Sequence, residues 1–131
     1  MTVARELAEF LTRTTPADVP PQAVEHAAML IASTLASAAL GTGLESSRII
    51  RDLARERVGR PDASLWFHPG PKLPAAEAAQ VNAVASDAAA SDDSDLRNIV
   101  HAGTILVATV LAVAEHDRRQ YFLPGGDRAR L

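Results

Sequence analysis

Pro21–Gly41, PQAVEHAAMLIASTLASAALG, decides how the rest of the chain is read. Val24, Ala27, Ala28, Ile31, Leu35 and Ala38 recur at helical spacing. Pro21 suits a first helical turn, where a missing N–H costs nothing, and Gly41 is a natural terminator. After His26 the segment is apolar or small on nearly every face, which predicts a central helix covered by its neighbours. Ala27 to Leu44 carries no charge and is long enough to suggest a membrane span. It also holds Ser33, Thr34, Ser37, Gly41, Thr42 and Gly43, and many of its apolar residues are only alanine. The expectation is therefore a buried helix of a soluble protein.

Upstream, Val3, Leu7, Phe10 and Leu11 form the apolar stripe of a short amphipathic helix ending near Thr14. Thr15-Pro16 stops it, and Val19-Pro20-Pro21 makes a stiff connector because a residue preceding proline is steered away from helix. The N-terminal Arg5, Glu6 and Glu9 stand where a signal peptide needs an apolar run, so the expected location is cytoplasmic. Downstream, Ser46 or Ser47 is expected to cap a third helix with Ile49, Ile50, Leu53 and Ala54 inward and a charged face outward. Ala63–Phe67 reads as one strand or an extended strut, and His68-Pro69-Gly70-Pro71 as a turn. A fourth, alanine-rich helix follows Pro74. The acidic break Ser91–Asp95 separates it from a fifth helix starting near Ala102.

The expected fold class is all-α, a bundle of about five helices over residues 1–120, with an irregular tail at 121–131. Aromatics are only 4% of the 131 residues, so the core must come from Ala, Leu, Val and Ile, which suits closely packed helices. The absence of Cys excludes a disulfide scaffold, a thiolate metal site and a Cys nucleophile. A net charge of −3 argues against nucleic acid as a partner, since phosphate binding needs a basic face.

Chemistry is expected around Asp92-Asp93-Ser94-Asp95, followed by Arg97, Asn98 and His101. Carboxylates this close repel one another unless solvent, a cation or hydrogen-bond donors offset them. His101 precedes a helix start, where outward N–H groups favour anions, so acid–base residues there suit an enzyme acting on small carboxylic acids. The structural alternative is that the loop merely turns and caps, with Asp95 or Asn98 as caps. Adjacent carboxylates can also hold Mg²⁺ or Ca²⁺, but the loop has neither the glycine nor the closing glutamate of an EF-hand, and no metal is expected. Gly41-Thr42-Gly43 lacks the spacing of a phosphate loop, and no serine nucleophile motif occurs. His26, His68 and His116 read as structural or surface residues. Lys72, the only lysine, lies in Gly70–Pro74 within reach of an anionic ligand, though a solvated loop cation is the stronger reading there.

The order of several short stretches resembles the N-terminal part of the MmgE/PrpD family, which includes 2-methylcitrate dehydratase, cis-aconitate decarboxylase and iminodisuccinate epimerase. These are Leu7–Phe10, Val19-Pro20 with Val24–Ala27, Ala63–Trp66, Lys72–Pro74 with Ala78–Asn82, Asp92–Ser94 with His101–Gly103, and Glu115. By that resemblance Asp92, Asp93 and Ser94 stand for an Asp-Asp-Thr loop and His101 for the His of a His-Pro-Gly motif, lining a pocket for di- or tricarboxylates. Ala90 stands where the family has a first Asp, Asp87 where a His often occurs, and Ala102 in place of Pro.

The resemblance implies catalysis by His101 and Asp93, substrate binding by Asp92, Ser94 and Lys72, and no cofactor. Family members are longer, with later helices and a lid domain, so a fragment or truncated form is expected. Its exposed apolar faces would favour a homodimer or a complementing chain. The rival expectation is an inert helical interaction module.

Overall fold

The computed structural model describes residues 2–94, 97 and 99–122. The described residues form five α-helices: α1 Val3–Arg13, α2 Pro21–Gly41, α3 Glu45–Arg55, α4 Ala75–Ala88 and α5 Ala102–Phe122. The all-α expectation holds: no strand occurs among the described residues, and Ala63 and Leu73 form an isolated antiparallel bridge. Ala63 and Leu73 exchange backbone hydrogen bonds of 3.0 Å, so the expected extended stretch is a strut. Both side chains enter a core with Ala54, Ala78, Val81 and Ala112.

The central helix is α4, not α2. It packs against α2, α3 and α5, burying Ala78, Val81, Asn82, Ala85 and Ser86. On α2 only Thr34, Ser37, Ala38 and Gly41 are buried, and Val24, Met29 and Ile31 are exposed. Lack of charge had suggested burial for α2, but a small-residue surface on several faces is what lets one helix accept three neighbours. A Cβ at Gly41 would overlap the Ala85 carbonyl oxygen, so glycine permits this close approach of α2 to α4. Ser37 Oγ donates to the Ser86 carbonyl across the same seam at 2.7 Å. By length and composition α2 is also apolar enough to cross a membrane.

Two boundaries differ from expectation. Helix α3 begins at Glu45, with Leu44 at its N-cap and no side-chain cap, so Ser47 lies inside the helix and is buried. Helix α5 runs through its charged segment to Phe122, past the expected end at 120. Residues 123–131, most of the expected tail, lie outside the described residues.

Helix α1 matches its expected stripe but buries no residue. The connector after it is a 3₁₀ turn, Pro16–Asp18, in which Asp18 Oδ2 accepts from Thr15 N at 2.8 Å and Thr15 Oγ1 at 2.6 Å. These two donors hold the Asp18 carboxyl below its ordinary range.

Candidate active site

The acidic elbow joins the end of α4 to the start of α5. The chain leaves α4 through Ala90, whose φ of 50° is left-handed. Asp93 then reaches the first turn of α5, where Gly103 N donates to Oδ1 at 2.9 Å and to Oδ2 at 3.1 Å. A carboxylate here satisfies an otherwise orphaned helix N–H and complements the positive end of the helix dipole. Space is tight as well as polar. A Cβ on Gly103 would overlap Asp93 Oδ1 and lie 2.7 Å from Thr34 Oγ1.

Asp92 turns the other way. Its side chain is 3% exposed, accepts from Thr104 Oγ1 at 2.9 Å, and lies 2.8 Å from His101 Nδ1. The Nδ1 approach is off-axis, leaving that nitrogen buried without an aligned hydrogen bond. The side chain is nevertheless 42% exposed, so its accessible surface lies on atoms other than Nδ1. Ser94 is exposed.

The structure thus brings Asp92 to His101, while Asp93 realises the capping alternative on Gly103. The caps expected from Asp95 and Asn98 lie outside the described residues. Asp87, near the end of α4, adds a donor: single ligand atoms of Asp87, Asp92 and His101 lie within 4.8 Å of one another. In the sequence Asp87 stood out only as a departure from the family motif, not as a member of this group.

Lys72 does not join the elbow. It pairs with Glu115, roughly 20 Å along α5 from His101 by helical rise. Glu115 also accepts from Ser64 N at 3.2 Å and Ser64 Oγ at 2.8 Å. Asn82 clamps the same segment, accepting from Trp66 N and donating to the Ser64 carbonyl, both at 3.0 Å. Beside it, buried Asp62 accepts from Arg60 Nε at 2.7 Å and meets His116 Nδ1 at 2.8 Å. Burial pushes the Glu115 carboxyl up, but donation from Lys72 and Ser64 outweighs it and the net direction is down. Asp62 behaves alike, burial being outweighed by Arg60 and His116. The signal for this network was a polar residue inside an apolar helix, Asn82 in α4 and Glu115 in α5.

A family model described as the MmgE/PrpD N-terminal domain matches residues 5–129. The chain belongs to the MmgE/PrpD family. No curated protein and no solved structure gives a significant match. In this MmgE/PrpD domain the stretches that carried the resemblance divide physically. Ser64, Lys72, Asn82 and Glu115 lock the strut onto α4 and α5, whereas Asp92, Asp93, His101 and Gly103 shape the elbow at the opposite end of α5.

Proposed function

We propose that this MmgE/PrpD domain supplies the proton-handling imidazole of a lyase or isomerase acting on a small di- or tricarboxylate. The observation that supports this is the buried Asp92 carboxylate against His101 Nδ1, on a side chain that is 42% exposed. Thr104 holds the Asp92 carboxylate 2.8 Å from Nδ1, where its charge favours the tautomer protonated on Nδ1 even without an aligned hydrogen bond, and Nε2 is then the basic nitrogen. Nε2 then takes a proton from the carbon beside a substrate carboxylate. The electron pair left on carbon expels a leaving group in a dehydration, or retrieves a proton on the other face in an epimerisation. Asp93 is a positioning residue that fixes the loop on α5, and the exposed Ser94 hydroxyl is available to a substrate oxygen.

The elbow carries Asp92 and Asp93 with one arginine, Arg97, and Lys72 is engaged by Glu115, so further cations to hold a polycarboxylate come from a complementing chain or segment. The second reading, an inert helical interaction module, is favoured by one observation: the Asp93 carboxylate is already taken up by the backbone of α5.

Incubation with cis-aconitate, 2-methylcitrate or iminodisuccinate in deuterated water separates the two. Deuterium entering the carbon beside a carboxylate, and lost in His101→Ala at unchanged circular dichroism, supports the enzyme. No incorporation from any of the three leaves the inert module.

A further inference from the structure

The strut and the far end of α5 enclose a pocket that takes no part in the chemistry of the elbow. Trp66 forms one wall and Leu111, Ala114, Glu115 and Arg118 of α5 form the other, around a volume of about 310 Å³. These four fall at i, i+3, i+4 and i+7, so they share one face of the helix. The volume lies at the small end of the range for ligand sites. Its lining has their character, with apolar side chains, one aromatic ring and a few polar groups.

The Trp66 wall is held from several sides. Asn82 accepts from Trp66 N and donates to the Ser64 carbonyl, and Arg55 Nη2 donates to His68 Nδ1 at 3.3 Å. Between these ties Phe67 sits at φ 55°, left-handed backbone that a bulky residue rarely adopts. Such strain persists only where the surroundings impose it, and here it accompanies a tryptophan fixed beside α5.

The polar groups of the pocket differ in what they have left to offer. Glu115 is already engaged, since Ser64 N, Ser64 Oγ and Lys72 occupy its oxygens and Lys72 offsets its charge. The Arg118 guanidinium makes no ion pair or hydrogen bond among the described residues, and the Trp66 side chain makes no hydrogen bond there either. An aromatic ring, an apolar floor and one uncommitted guanidinium are complementary to an anion with a flat apolar body.

We propose that this pocket binds a small monocarboxylate with a flat apolar body. The carboxylate lies on Arg118, and the body lies between Trp66 and the Leu111–Ala114 floor. One available cation matches one carboxylate, which separates this ligand from the polycarboxylates of the elbow. The site lies roughly 20 Å along α5 from His101 and does not rest on the chemistry proposed there.

The chain's one tryptophan is the probe, since Trp66 gives the one indole N–H signal of a proton–nitrogen correlation spectrum. Titration of the full chain with benzoate is expected to move that signal to saturation, with uncharged benzamide about tenfold weaker or inert. Arg118→Gln is expected to weaken benzoate about tenfold. Ala114→Leu, which fills the floor, is expected to abolish the shift at unchanged circular dichroism. Citrate, which has several carboxylates and no flat body, is expected to leave the signal in place. His101→Ala is expected to bind benzoate as the unaltered chain does, so this site and the elbow can fail separately. Absence of a saturable shift, equal binding of benzamide, or unchanged affinity in Arg118→Gln would overturn the proposal. A shift that survives Ala114→Leu, one produced by citrate, or binding lost in His101→Ala would do the same.

Discussion

Ala90 holds φ at 50° just past the C-cap of α4, a position where helices commonly place glycine or asparagine. Its N–H reaches back to the Asp87 carbonyl at 2.9 Å, so the turn is hydrogen-bonded in spite of the crowded Cβ. Ala90→Gly is expected to raise stability by about 1 kcal/mol, read as a higher urea midpoint at unchanged slope. Two other residues set the acid response. Asp62 and Glu115 both titrate below their ordinary values of 3.8 and 4.5 in the folded chain. A lowered folded value means stabilisation that is present above the unfolded value and lost as pH falls through the folded one. Urea midpoints are expected to fall on acidification below about pH 4.5. Glu115→Gln should be less stable than the unaltered chain at neutral pH, with the gap narrowing in acid.

Helix α4 depends on how closely its neighbours approach. Gly41→Ala forces a methyl group into the Ala85 carbonyl, and backbone cannot yield as a side-chain tip can. The expected loss is about 2–3 kcal/mol, measured by urea unfolding, as for other overpacked contacts. Five helices were legible because each is an apolar or amphipathic run bounded by proline, glycine or an acidic break. Which helix sits at the centre was not, because α2 and α4 are equally uncharged along their middles and only packing distinguishes them. The elbow was legible for a related reason: Asp92, Asp93 and His101 are near neighbours in the chain, so one local pattern contains them. Lys72 looked like a free loop cation because its partner Glu115 lies 43 positions away, beyond any local pattern.

At the scale of the whole molecule, the interior is made of small groups. Among the described residues the buried hydrophobics are alanines with Leu73, Val81 and Val107, while the largest fully buried side chains are Thr34, Ser37, Ser47 and Ser86. Meanwhile Phe10, Met29, Leu40, Leu106 and Val110 are exposed. Such a chain hides little hydrocarbon, and hydration of newly exposed hydrocarbon is what raises the heat capacity on unfolding. Scanning calorimetry should therefore show a heat-capacity step below the roughly 1.6–2.0 kcal/mol/K usual for 131 residues. With so shallow a curvature the free-energy dome flattens, and resistance to cold and to moderate warmth become nearly the same. The serine and alanine seam between α2 and α4 thus gives the domain a broad thermal plateau in place of a sharp optimum.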